Sequence, residues 1–105
     1  MPLVAIDPKL RSLEHPMREC LQSAECITTQ PERAHEIGAA VIPADLEQLR
    51  TLRAVHPFAF IVVYARGEHD AVVYLEAGAD DCVASCSAAV LAARIATGLR
   101  RLRRI

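Results

Sequence analysis

Along this chain, short unbroken apolar runs alternate with segments whose apolar residues recur every third or fourth position. These are the two patterns that separate covered strands from amphipathic helices. Leu3–Ile6 is the first run. Asp7 and Pro8 follow it: a carboxylate that can accept the free amides of a helix start, and a residue already fitted to the first helical position, so the strand passes into a helix there. Leu10, Leu13, Met17 and Leu21 give that helix an apolar stripe. Pro16 lies within it, and a residue with no amide hydrogen predicts a kink or two shorter helical pieces. Residues 26–29 read as a weaker strand, residues 31–38 as a brief helix opened by proline and closed by glycine, and residues 39–42 as a third strand. Pro43 stops that strand and Asp45 caps the next helix, whose apolar side is Leu46, Leu49, Leu52 and Val55. His56 and Pro57 end it, because the residue before proline avoids the helical region.

Residues 58–64 are apolar at successive positions, as a central strand must be when helices cover both faces of its sheet. Residues 66–67 turn the chain, and Ala71, Val72, Leu75 and Ala79 line a short helix whose exit Gly78 relaxes. Asp81–Ala84 is a fifth strand, and Ser87 caps a last helix with Leu91, Ile95, Leu99 and Leu102 in a clean stripe. The alternation predicts the α/β class: a five-stranded parallel sheet flanked by helices, joined by right-handed crossovers.

At 105 residues the chain fits a single domain spanning 1–105. Its 12 Lys and Arg nearly cancel 13 Asp and Glu, and 52% of its residues are apolar, which excludes a disordered tail and argues against a nucleic-acid-binding face. The arginines at 100, 101, 103 and 104 are read as a helix end favoured by the helix dipole. No window reaches the roughly 18 apolar residues of a membrane span, and MPLVAIDPKL lacks the basic and apolar regions of a leader, which predicts a cytoplasmic protein. Cys20, Cys26, Cys82 and Cys86 have neither zinc nor thioredoxin spacing and are read as reduced, mostly packed thiols, with a Cys82–Cys86 bridge as the redox alternative. His15, His35, His56 and His69 show no metal spacing, and no Ser–His–Asp set can be assembled, so the reading is non-enzymatic.

LEAGADD at 75–81, IVVYAR at 61–66, AARI at 92–95 and VAIDPKLRSL at 4–13 together resemble the receiver domain of bacterial two-component response regulators. The resemblance implies a flavodoxin-like sheet in the order 2-1-3-4-5, with residues 38–50 accommodated by a shortened loop. It further implies a Mg²⁺ site beside an acceptor aspartate, with Asp7 and Asp45 as metal candidates and Asp45 as the phosphoacceptor candidate. Asp7 has Ile6 where the family has a second acid, and as a helix cap Asp45 needs no phosphoryl chemistry. Tyr64 stands at the switch hydroxyl, Cys82 near the switching aromatic, Ser85 at the lysine and Cys86 at the proline that follows. Serine offers phosphate no positive charge, and Arg66 is the nearby candidate to replace it.

These departures predict a degenerate receiver, or pseudo-receiver, acting as a phosphorylation-independent signalling or regulatory protein-interaction module. A conventional Mg²⁺-dependent phosphoreceiver using Asp45, or a purely structural interaction domain, is the alternative. The implied partner is a regulatory protein or a second copy, docking on the face of the fourth helix, fifth strand and fifth helix. Arg94 and Arg101 are the candidate contacts, and Ala77, Ala88 and Ala92 are small enough for close helix approach.

Overall fold

A computed structural model describes residues 1–65, 70–84 and 86–102. The strands are β1 (Leu3–Ile6), β2 (Glu25–Thr28), β3 (Ala39–Pro43), β4 (Phe60–Ala65) and β5 (Asp81–Ala84), and the α-helices are α1 (Glu14–Cys20), α2 (Leu46–Val55), α3 (Ala71–Glu76) and α4 (Ala88–Leu102). Short 3₁₀ helices cover Pro8–Leu13 and Pro31–Arg33. All strand pairs are parallel, as the alternation predicts, in the order β2-β1-β3-β4-β5 that the resemblance implies.

Strand side chains alternate between faces, so a parallel sheet with helices on both sides needs apolar residues at every position. Val41 and Val62 enter one core with Val4, Ile6, Met17 from α1, and Leu91 and Ile95 from α4. Their neighbours Ala40, Ile42, Ile61 and Val63 enter the other, against Leu49 and Leu52 of α2. Every one of these strand residues is fully buried.

Four local readings change. The first helix does come in two pieces, but the break falls at Leu10 (φ −115°, ψ 23°), and Pro16 sits in the first turn of α1, where a missing amide leaves no bond unmade. Of residues 31–38 only Pro31–Arg33 is helical. This connector is instead pinned along α2, where Gln48 Nε2 donates to Glu32 Oε1 and His56 Nε2 meets the Pro31 carbonyl at 3.1 Å. β4 starts at Phe60 because a turn closed by the Ala59 amide on the His56 carbonyl precedes it, leaving Phe58 84% exposed. On α3, Val72 and Leu75 face outward at 59% and 45% exposure, while Tyr74 and Ala77 lean on the core beside Ala79. A helix of 6 residues has too little periodicity to fix its own buried side.

Away from the strand ends that carry Asp7 and Asp45, Arg53 joins three elements. Its Nε and Nη2 donate to the Gly78 carbonyl at 2.9 and 2.7 Å, and Nη1 donates to the carbonyls of Ala59 at 2.8 Å and Pro57 at 3.1 Å. Nη2 also meets Asp80 Oδ2, which accepts the Ile61 amide at 2.8 Å. Gly78 has φ 118°, and a Cβ there would stand 3.1 Å from Arg53 Cγ, so the turn needs both the left-handed backbone and the empty space. The partly exposed Arg53–Asp80 ion pair contributes little by itself, whereas leaving the part-buried carbonyls of Gly78 and Ala59 unmet is costly. Arg53→Ala is expected to lower stability by about 2–4 kcal/mol, read from urea midpoints. Arg53→Lys should recover less than half of that, since an ammonium lacks the planar fork.

α1 is fastened to β2 by an acid and a base one helical turn apart. Glu14 Oε1 accepts the Thr28 amide at 2.6 Å, Arg18 Nε donates to the Cys26 carbonyl at 3.0 Å, and the two side chains pair at 3.6 Å. Hydrogen bonds from Thr28, with Arg18 adding, hold the Glu14 carboxyl below its ordinary value of 4.5. A lowered folded-state value means this contribution is fully present above 4.5 and disappears as pH falls through the lowered value. Glu14→Gln should therefore flatten the acid limb of the stability profile and leave the neutral limb nearly parallel, as read by urea unfolding across the pH series.

Candidate functional site

Parallel strands bring their carboxyl ends to one rim. Asp7 follows β1 there, Ala44 and Asp45 follow β3, and Tyr64 lies near the end of β4. Ala44 and Asp45 alone separate β3 from α2, so the first turn of α2 lies against the end of β1. Asp45 is the N-cap of α2, its Oδ1 accepting the Gln48 amide at 3.0 Å. Asp7 is 5% exposed; its Oδ1 accepts the Lys9 amide at 2.9 Å, and its Oδ2 accepts from Gln48 Nε2. The same Gln48 nitrogen donates to Glu32 Oε1 at 2.7 Å.

The carboxamide of Gln48 thus spends both its N–H groups on two carboxylates. A carboxylate buried as deeply as Asp7 needs such partners. Asp7, Glu32, Asp45 and Gln48 border a cavity of about 290 Å³ that Lys9 also touches. A second crevice of about 320 Å³ is lined by Lys9, Leu10, Pro43, Ala44 and Tyr64. The structure brings Asp7 and Asp45 to one cavity, but among the described residues no three acidic, histidine or cysteine side chains converge as a metal cage. Mg²⁺ demands near-octahedral oxygen ligation. Asp7 Oδ2 already accepts from the Gln48 amide and Asp45 Oδ1 caps α2, so a cation held between these acids would compete with those bonds.

Tyr64 packs on the core shared by α1 and α4, and its hydroxyl donates to the Cys86 carbonyl at 3.3 Å, tying the end of β4 to the chain just before α4. Cys82 packs on the core of the opposite sheet face while Cys86 packs on the Tyr64 side, so the sheet separates the two thiols of the redox alternative. All four thiols are free. Burial pushes the Cys82 thiol up, with the Asp81 charge adding, and burial likewise raises Cys26; both are poor nucleophiles. Ser85 and Arg66 lie outside the described residues.

Arg94 donates to Asp81 Oδ2 at 3.0 Å, and with exposed Arg101 it lines an open groove of about 540 Å³ between β5 and α4. Phe60 seats its ring on Gly98, where a Cβ would come within 2.4 Å of it, which is why α4 can lie so close to the sheet here. Ala92 is buried and Ala88 packs beside it, while Ala77 serves the other core. These alanines fill the interior instead of forming an open seam.

The sequence reading missed Lys9, Glu32 and Gln48. Gln48 left a signal: an Asp cap with Gln three residues on is a capping-box pattern. Here only half the box forms, and the Gln side chain turns to Asp7 instead of back to the cap amide.

No family model and no curated protein matches the sequence. Solved structures match throughout its length. A CheY-like receiver domain from Methanospirillum hungatei is 14% identical with a TM-score of 0.83, over 99% of this chain and 98% of that one. A response regulator from Thermotoga maritima is 15% identical with a TM-score of 0.81, over 95% and 98%. The response regulator DrrB, a Thermotoga maritima OmpR/PhoB homologue, is 22% identical with a TM-score of 0.76, over 96% of this chain and 54% of that one. The fold is that of a response-regulator receiver domain.

Gln48→Ala removes the one side-chain donor shared by two carboxylates and should cost about 1–3 kcal/mol, measured by urea unfolding. Gln48→Glu should cost more at neutral pH and regain stability on mild acidification, as the added carboxyl takes up a proton facing Asp7 and Glu32.

Proposed function

We propose that this chain is a receiver-fold regulatory module that binds a protein partner and works without accepting a phosphoryl group. The observation that carries the reading is the Gln48 carboxamide between Asp7 and Glu32. In a phosphoryl-accepting crevice, a cation must offset the phosphate charge and acidic ligands must hold that cation. Here a neutral amide donates to both acids, and the acid nearest the end of β3 caps α2. Tyr64 is likewise engaged inward through its hydroxyl.

One observation favours the alternative of a phosphoreceiver using Asp45: Asp7, Glu32 and Asp45 do share a cavity at the rim where parallel sheets place their ligands. That reading requires Gln48 to leave both carboxylates. The partner surface we assign is the face of α3, β5 and α4. Its groove is walled by Phe60, Val90 and the ion-paired Arg94 and Asp81, with Arg101 and Asp80 at its border. Val72, Val73, Leu75 and Val90 are exposed apolar residues on these elements. Opposite charges on one patch suit a regulatory protein or a second copy of the chain.

Incubation with Mg²⁺ and a small phosphodonor, followed by intact-mass measurement beside a control receiver, tests the choice. The expected result is no added phosphoryl mass on this chain while the control is modified. A phosphoryl adduct that Asp45→Asn abolishes would replace this reading with the alternative.

A further inference from the structure

β2 is an outer strand of the sheet, and an outer strand offers unpaired amides and carbonyls to any strand that approaches. The amides of Glu25 and Thr29 donate to Pro2 and Ile6 beside β1. Because successive residues of a strand turn their backbone groups to opposite sides, the amides and carbonyls of Cys26 and Thr28 face away from the sheet. α1 takes two of them: Glu14 accepts the Thr28 amide at 2.6 Å, and Arg18 donates to the Cys26 carbonyl at 3.0 Å. The carbonyl of one residue and the amide two residues on are the pair that a single residue of an added parallel strand would engage. Glu14 and Arg18, themselves 3.6 Å apart, occupy the place of that residue.

We propose that the β2 edge is a self-pairing surface for a second copy of this chain, held shut by the Glu14–Arg18 pair. A two-fold axis normal to the sheet sets two β2 strands antiparallel and matches the outward amides and carbonyls of Cys26 and Thr28 with their equivalents. The same axis lays the two α1 helices side by side in opposite directions, so Glu14 of one copy faces Arg18 of its mate once both leave the edge. This charge complementarity selects a second copy of the same edge as the occupant. The far edge is closed differently: the Cys82 amide is taken by Asp81 Oδ1, and Asp81 Oδ2 is tied to Arg94, so that cap belongs to the strand itself. The proposal rests on this edge geometry and is independent of the phosphoryl question.

Two double variants test it. Glu14→Ala with Arg18→Ala removes the closing groups. Glu14→Arg with Arg18→Glu keeps an ion pair on α1, which preserves the helix, yet presents each backbone group with the wrong partner. Sedimentation over a concentration series should show self-association of both variants strengthened at least about tenfold over the wild type, equivalent to about 1.4 kcal/mol. Hydrogen exchange should find the Thr28 amide protected at every concentration in the wild type, and in the variants open when dilute and protected when concentrated. Variants that associate no more than the wild type overturn the proposal. So does a Thr28 amide whose exchange ignores concentration, or an exchange-labile Thr28 amide in the wild type, a result that needs no variant to fold.

Discussion

A parallel sheet of short strands has no face it can leave in water, and that constraint organises the molecule. β3 and β4 carry apolar residues on both sides, so α1 and α4 must close one face and α2 and α3 the other. Once helices return the chain between parallel strands, every strand ends at the same rim. Asp7, Asp45 and Tyr64 stand along that rim because of topology, not because of their spacing in the sequence. The rim is thus a by-product of burial, and what the protein can do at it depends on which side chains fill the space.

At this rim, α2 supplies the deciding group. The two-residue link from β3 brings Gln48 within reach of both Asp7 and Glu32, and an amide with two N–H donors closes the acids without adding charge. The same helix is held near its other end by Arg53, whose guanidinium reads the Pro57 and Ala59 carbonyls just before β4 and the Gly78 carbonyl on the turn after α3. α2 is therefore fixed at its first turn and its last. A device that must change state needs an element with two arrangements of similar free energy, and a helix anchored twice is poorly suited to be that element.

The sequence made the strands legible because uninterrupted apolar runs between turn residues have few other readings, and Asp45 and Ser87 could be named as caps from their chemistry alone. It was less informative where periodicity was short. α3 offers 6 residues, and the stripe through Val72 and Leu75 was as regular as the one through Tyr74 and Ala77; only docking against the sheet decides between them. Residues 31–38 carried proline and glycine at helix-like positions, but bonds to α2 claim the segment before a second turn can form. Cys82 and Cys86 looked like neighbours in a line of text, and the sheet places them in different cores. Long-range partners such as Gln48 with Asp7 are invisible to local pattern, although the helix-cap spacing that positions Gln48 is not.

Under the proposed function, the contrast among the helices bears on which of them a partner would move. α3 contributes no buried residue, exposes Val72, Val73 and Leu75, and packs through Tyr74 and Ala77 with its exit turn tied to Arg53, so its body is held more lightly than that of α2. β5 adjoins it, and the groove between β5 and α4, with exposed Val90, lies across that strand. A partner needs only a modest difference in affinity for two positions of so lightly held a helix to shift its population, whereas shifting α2 would require breaking bonds at both its ends. Under the proposed reading, the energy that a phosphoryl group would otherwise supply at the strand ends comes from the partner surface itself, and the element it acts on is α3.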